Sequence, residues 1–575
     1  MSEKQIEKPG FTLRAAIIAV FLTLFLLASS SYIALKLGAQ PWPIIFAVIV
    51  SGGIIKLLNR SRDVNVHEVN VAQAGASIGG LVAAGIVFTI PGIIYLNQVR
   101  NVDIPWPNPW LLGVLTALAG VLGLLLSVPL KYTFVDKEQL PYPAGTAGAE
   151  LLKLGKIGGR QLAIITIFGC AAAIFGLFRE LYFDAGFAIS FLATFGIFFI
   201  VLPLPLAVGG GYILGPKAGF SWLAGAIIGW IVIVPLLINN GFQIESARSF
   251  AQNLGMGLVL GAGIGFLTSY VLPRLKSIVA PMLQTGKGYF KFYPLVSVLG
   301  VIGLVAVEVP WLAAILTVLG VWLMVAVAAR MTGETNIDPL EQFGIFVGLV
   351  IALVYEIIAL ELNMYASFMI VAFVSVACAV AGDSGHDYKS AAIVGTRFFD
   401  IVKVDLIAVI VAGLAAPLVF EVIRGGFAEQ LFTPSMPAPQ AKLVAGSIFG
   451  FEYPNVFLTG FGIGFLWEIL NTLLPQRYKN RLMMMPLGIG LFLGLSFAFP
   501  IAIGAAIRFY IDKNRSDLYH SGLLVAAGVM GGEGIAGFSN AALISAGLDP
   551  QIGAFGLMGM FVVVLLISTR FSGKH

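Results

Sequence analysis

Polar positions along the chain fall in short clusters separated by long apolar runs. Many runs reach the ~20 residues that a helix needs to cross a ~30 Å hydrocarbon core. They predict spanning helices at 14–35, 42–58, 72–95, 109–130, 161–178, 186–203, 204–238 and 250–272. After a basic loop come 294–307, 311–329, 341–360, 364–381, 404–423, 454–474, 484–510, 519–546 and 553–570. The run at 204–238 holds enough Gly and Pro to break it, and several pieces between runs are too short to cross alone. The pattern predicts an all-α polytopic membrane protein of about 16 transmembrane helices with re-entrant or broken segments.

Composition agrees. Of 575 residues, 58% are hydrophobic and 11% charged, against about 25% charged in soluble domains. So little charge cannot coat a water-facing surface. The 68 glycines and 28 prolines suit close helix packing and irregular backbone around a cavity. Cys170 and Cys378 lie in separate runs with no paired spacing, so neither a metal site nor a disulfide framework is read. The net charge of +5 reflects basic loops and gives no reason to expect a nucleic-acid partner.

Short-loop basic residues set orientation. Lys4, Lys8 and Arg14, then Lys56, Arg60 and Arg62, then Lys153, Lys156 and Arg160 alternate with base-poor ends. Arg274, Lys276, Lys287 and Lys291 form a further cluster, and Arg477, Lys479 and Arg481 another. The N-terminus is expected in the cytoplasm, in a multi-pass protein of the cell's inner (plasma) membrane. Arg508, Lys513 and Arg515 interrupt the alternation late in the chain. The run after Arg14 is too long for a signal-peptide core and is read as the first span.

A repeat is visible. The segment 203–230 resembles 486–509 in proline start, glycine spacing and apolar ending, and a glycine-studded helix follows each. The division expected is a tail at 1–13, a first membrane half at 14–273, a basic linker at 274–293 and a second half at 294–575. Such duplications place a transporter's solute site between the repeats.

Ionisable groups inside spans need a reason, since each costs at least ~2.5–3.5 kcal/mol to insert. Glu150 follows the proline-broken "LPYPAGTAGAE", Glu356 lies late in its run, and Glu468 and Glu533 lie mid-run, Glu533 among glycines. Each is a candidate for taking up and releasing protons; the alternative is a structural ion pair or a carboxylate reaching the interface. Asp383, His386, Asp387, Lys389, Arg397 and Asp400 crowd 381–400, which reads as a site or as a solvated loop. Glu68, Asn70 and Gln73 open the run after residue 65. Side-chain amides both donate and accept, so they hold polar solutes of either charge; the alternative is a helix cap with interhelical bonds. His67 beside them is read as a surface residue, and no metal-ligand spacing occurs.

Taken together these stretches resemble the oligopeptide transporter family, which includes the yellow-stripe-like metal-chelate carriers, and its prokaryotic members in particular. "EVNVAQAGASIGGLVAAGIVFTIP", "LPYPAGTAGAELLKLGK" and "LAVGGGYILGPKAGFSWLAGAIIGWIVIVPLL" carry the likeness in the first half. "GETNIDP", "HDYKSAAIVGTRFF" and "GLLVAAGVMGGEGIAGF" carry it in the second. Ala144 replaces an acidic residue common in prokaryotic relatives, and Glu334, Asp338 and Glu341 make one turn unusually charged. The resemblance implies two tandem repeat halves and proton symport of small peptides or peptide-like metal chelates, with no enzymatic activity or cofactor. Glu150, Glu533, Glu468 and Glu356 would couple protons. Glu68, Asn70, Gln73, Tyr142, Asn336, Asp387 and Lys389 would line the solute path, and a homodimer is suggested. A gradient-insensitive channel or facilitator is the competing reading. An intramembrane enzyme is disfavoured, since no GxSxG, HExxH or Walker loop accompanies Ser384 and His386.

Overall fold

The computed structural model describes residues 7–40, 44–59, 64–153, 160–183, 186–271, 273, 276, 292–475, 479 and 481–572. Thirteen helices among them are long and apolar enough to cross a membrane, with five shorter apolar helices beside them. The chain is an all-α polytopic membrane protein. The basic linker at 274–293 lies almost wholly outside the described residues, as do Lys4, Arg60, Arg62, Lys156 and Arg477.

The first run of helices is α1 (Leu13–Leu37), α2 (Ile44–Asn59), α3 (Val66–Val87), α4 (Pro91–Val99) and α5 (Pro109–Ser127). It continues with α6 (Pro143–Lys153), α7 (Arg160–Tyr182), α8 (Pro205–Leu214), α9 (Pro216–Asn239) and α10 (Ile244–Phe266). A single helix, α11 (Phe292–Ala306), precedes the second run. That run is α12 (Trp311–Thr335), α13 (Leu340–Ile357), α14 (Met364–Val394), α15 (Phe398–Phe427) and α16 (Pro439–Phe449). Then follow α17 (Pro454–Leu473), α18 (Met484–Leu493), α19 (Leu495–Asn514), α20 (Tyr519–Ser545) and α21 (Pro550–Ser572).

Local chemistry sets many of the ends. The Thr12 hydroxyl accepts from the Ala15 N–H at 3.0 Å and caps α1, which stops at Gly38 in the left-handed region. Asn363 caps α14 through the Ala366 N–H at 2.6 Å, and Gly395 (φ 82°) ends it. Between those caps α14 runs well past the predicted limit at 381, so Asp383, His386, Asp387 and Lys389 lie inside a helix, while Arg397 and Asp400 fall beyond Gly395 at the start of α15.

Equivalent features recur in the same order in both runs. α1 and α12 end at left-handed residues, Gly38 (φ 62°) and Asn336 (φ 61°). Asparagine sits at the N-cap of α3 (Asn65) and of α14 (Asn363). α6 and α16 start at proline after a left-handed residue, Tyr142 (φ 39°) and Ala438 (φ 41°). The Tyr142 N–H donates to Gly333 O on α12 at 2.8 Å, and the Ala438 N–H donates to Leu35 O on α1 at 2.9 Å. Each short helix thus docks on the long helix of the opposite run.

The sequence repeat becomes a pair of broken-helix hairpins. α8 turns into α9 at Gly215 (φ 83°), and α18 turns into α19 at Gly494 (φ 81°). The hairpins cross: α8 packs on α19 and α9 on α18. A Cβ on Gly211 would overlap the Ile501 carbonyl, and one on Gly490 would overlap the Trp222 carbonyl. Only glycine permits that approach from either side.

The run at 186–203 does not form the predicted span. Phe187 and Ala188 pair antiparallel with Val201 and Ile200, a single helical turn at Ser190–Ala193 lies between, and Gly196 (φ 72°) turns the chain. Short apolar runs rich in β-branched and aromatic residues suit strand as well as helix, and hydrophobicity alone does not choose.

Substituting alanine at Gly211 or Gly490 should destabilise the detergent-solubilised protein by ~1–3 kcal/mol, the usual cost of overpacking. Gly462→Ala, where nothing stands within 4 Å, should not. Thermal unfolding followed by tryptophan fluorescence checks the difference.

Candidate functional site

Two polar constellations occupy the interior, at opposite ends of α15. The first begins on α3. Its amides Asn70 and Gln73 are fully buried. Gln73 Nε2 donates to Asp387 Oδ1 on α14 at 3.1 Å and to Asn70 Oδ1 at 3.3 Å. Asn70 Nδ2 donates to Thr396 Oγ1 at 3.0 Å, and Ser390 Oγ donates to Asn70 Oδ1 at 2.7 Å. Ser77, one turn on, lies 2.7 Å from Asp383 Oδ2 and 3.4 Å from Asp387 Oδ2. Asp405 on α15 faces both aspartates. Asp383, Asp387 and Asp405 have no solvent exposure. Glu68 stands apart, bound by Arg14 Nε at 2.9 Å and Thr12 Oγ1 at 2.6 Å.

The second constellation joins α1, α7 and α20. Arg179 is bonded to Glu533, both almost wholly buried, and lies 3.6 Å from Glu180. Glu180 also takes Lys36 at 3.4 Å, Asn540 Nδ2 at 3.1 Å and the Tyr32 hydroxyl. The second Glu533 oxygen accepts the Leu206 N–H at 2.8 Å, so the carboxylate caps the N-terminus of broken helix α8. Two cations and two anions offset one another, Arg179 and Glu533 in the interior and Lys36 and Glu180 at a cavity wall. Above them opens a cavity of about 380 Å³ whose wall includes Lys36, Glu180, Asn540, Gln430 and Ser435. It sits where α1, α7, α15 and α20 all reach their C-terminal ends.

Of the residues expected to line a solute path, Asn70, Gln73 and Asp387 meet in the first constellation, and Glu68 lies beside it on α3. Tyr142 is buried edge-on to His386, with ring centroids 5.4 Å apart, and its hydroxyl donates to Ala329 O at 2.9 Å. Asn336 Oδ1 accepts the Ala144 N–H at 3.1 Å. Lys389 is half-buried at the edge of the set. None of these residues lines the 380 Å³ cavity. Of the candidate proton carriers, Glu533 is at the heart of the ion network, Glu468 is half-buried beside Asn471, and Glu150 and Glu356 are exposed. Among the described residues no three His, Cys, Asp or Glu side chains gather as metal ligands.

Sequence reading missed Lys36, Arg179 and Glu180, which end otherwise ordinary apolar helices, and Asp405, a lone acid in a hydrophobic run. The available signal was the intramembrane charge itself.

Comparison with known proteins gives a consistent picture. The family model described as OPT oligopeptide transporter protein matches residues 10–261 and 286–544. A Haemophilus influenzae protein whose name assigns it provisionally to oligopeptide transport is 25% identical, covering 90% of this chain and 92% of its own length. An iron-phytosiderophore transporter of Oryza sativa subsp. japonica is 24% identical over 79% of this chain and 77% of its own. A metal-nicotianamine transporter of Arabidopsis thaliana is 22% identical over 87% and 84%.

Glu533→Gln should cost ~3–5 kcal/mol, the usual effect of leaving a buried partner charge uncompensated. The double substitution Arg179→Met, Glu533→Gln, compared with each single change, should recover much of it. A thermal-melt double-mutant cycle reads this; additive losses would show that the two charges act independently.

Proposed function

The chain belongs to the oligopeptide transporter family, and on that premise we propose that it imports small peptides or peptide-like metal chelates by proton symport. It is a membrane transporter and not an enzyme. The observation that carries the substrate reading is the 380 Å³ cavity with an ammonium (Lys36) and a carboxylate (Glu180) on one wall. Its volume falls in the range of small-molecule sites. A zwitterionic solute matches that wall: its carboxylate meets Lys36 and its ammonium meets Glu180, with Asn540 as a neutral partner. Peptides and amino-acid-derived chelators share this end-group chemistry. That relatives are named for oligopeptides and for metal–nicotianamine or phytosiderophore complexes supports the same pair of classes.

The ion network supplies a route from solute to backbone. A solute that takes over Glu180 weakens its hold on Arg179, and Arg179 then turns fully to Glu533, which caps α8. Binding thereby bears on the broken-helix hairpin, whose crossing with its repeat mate ties the two halves of the chain. With the N-terminus in the cytoplasm, the cavity faces the outside and is the entry side of an alternating-access cycle. Glu533 acts in this scheme as a gating carboxylate.

Purified protein in liposomes, under an inward proton gradient, tests the reading with labelled tri- and tetrapeptides and with an iron chelate. Glu180→Gln and Lys36→Met should each raise the half-saturation concentration about tenfold or more, as loss of a charged hydrogen bond of ~1.5–3 kcal/mol requires. A peptide with an acetylated amino end should be insensitive to the change at Glu180. Equal effects on blocked and free peptides would remove the end-group role, and uptake of neither class would remove the substrate reading.

A further inference from the structure

The constellation on α3, α14 and α15 holds three aspartates with no solvent exposure. Among the described residues none of the three pairs with a lysine or arginine. Their oxygens are poorly answered as well. Both oxygens of Asp405 and one of Asp383 lack a hydrogen-bond partner. A neutral group points to the same gap: Gln73, with no exposure, spends its amide N–H on Asp387 and leaves its Oε1 unpartnered.

The neighbouring elements bring no rescue. α5 carries no ionisable side chain. From α12, Arg330 faces Glu138 at 2.9 Å and Glu334 at 3.1 Å. The turn after α12 adds Asp338 beside Asp383, and α13 adds Glu341 beside Asp338, both further acids. On α3, Glu68 is taken by Arg14, and His67 faces Thr396 at 3.2 Å. Segment 131–137 pairs Lys131 with Asp136 at 2.8 Å. On α14 itself, His386 Nδ1 accepts the Gly145 N–H at 3.1 Å, Tyr388 meets Ser127 at 3.0 Å, and Lys389 is half-buried and faces Asp136. α1 and α20 pack on α15, but their charges Lys36 and Glu533 are committed to the second constellation. On the short helices, Glu150 and Lys153 of α6 are exposed, and Lys442 of α16 faces the rings of Tyr95 and Phe432.

At one of the three positions the equivalent place in the first run carries no acid. Counted from the capping asparagines Asn363 and Asn65, the counterpart of Asp383 in the first run is Gly85. Gly85 packs on Val376 just as Asp383 packs beside Ser77.

We propose that Asp383, Asp387 and Asp405 form the store for the coupling protons, at the opposite end of α15 from the solute cavity. This rests on the symport reading and deepens it. Asp405 and Gly425 are twenty residues apart on one helix, roughly 30 Å at 1.5 Å per residue, so protons and solute occupy separate sites. Protons neutralise carboxylates that no cation answers. Ser77, shared by Asp383 and Asp387, reports which of the two is charged. α3 and α15, which carry Ser77 and Asp405, both pack on α1. α1 carries Lys36 to the solute cavity, which links the proton count to that cavity.

Infrared spectroscopy of the purified wild-type protein and of Asp405→Asn and Asp383→Asn tests the store without any solute. The wild type should show a carboxylic-acid carbonyl band at neutral pH that shifts in D₂O and loses intensity in each variant. No such band at any pH where the protein stays folded would overturn the proposal. So would a wild-type melting temperature that rises with sodium and stops rising in Asp405→Asn, since sodium would then be the resident cation. In liposomes, each variant should lose gradient-driven accumulation at least tenfold while keeping solute exchange across the membrane at zero gradient. A merely structural role would depress both, and that result would also overturn the assignment. Failure of every solute to enter the wild type would sink the substrate reading alone, because the infrared result does not depend on it.

Discussion

A charge held where water cannot reach must be answered by the protein, and the interior of this transporter is organised by that constraint. Several kilocalories per mole stand against each unanswered ion. One constellation meets the demand with opposite charges: Arg179 and Lys36 against Glu533 and Glu180. The other meets Asp383 and Asp387 with an amide and a hydroxyl and leaves Asp405 with neither. The two solutions differ in what they make possible. A balanced network can exchange partners with an incoming zwitterion, whereas an acidic one invites small cations.

Backbone obeys the same logic. Inside lipid each N–H and C=O must find a partner within the protein, so broken helices survive only where another element satisfies their ends. Glu533 does this for the start of α8 through the Leu206 N–H. The docking bonds from Tyr142 to Gly333 and from Ala438 to Leu35 do it for the short helices. Both short helices dock on the opposite run, which ties the two runs together. The glycine contacts of the crossed hairpins tie α8 to α19 and α9 to α18 in the same way.

Much of this was legible in the chain and some was not. Apolar run length gave the helical membrane class directly, and glycine and proline marked the break at Gly215 within 204–238, whereas 484–510, read as one span, breaks at Gly494. The opening amides Asn70 and Gln73 were visible as a cluster, but their partner Asp387 is more than three hundred residues away. The crowding at 381–400 read equally as loop or site, because charge density does not reveal depth; Asp383 and Asp387 are buried in α14, whereas Arg397 is exposed past its end. Lys36, Arg179 and Glu180 escaped because a charge at the end of an apolar run ordinarily marks the membrane surface. Only packing of four helix ends brings them together. The region at 186–203 misled in the other direction, since hydrophobicity without periodicity fits strand and helix alike.

The central claim is that a cation gradient drives a solute uphill through this fold. The most direct test is the internal concentration of a labelled solute in proteoliposomes, before and after an ionophore collapses an imposed proton gradient. Accumulation above the external level, discharged by the ionophore, is the expected result. Equilibration to the external level at the same rate with or without the gradient would contradict it and leave a facilitator.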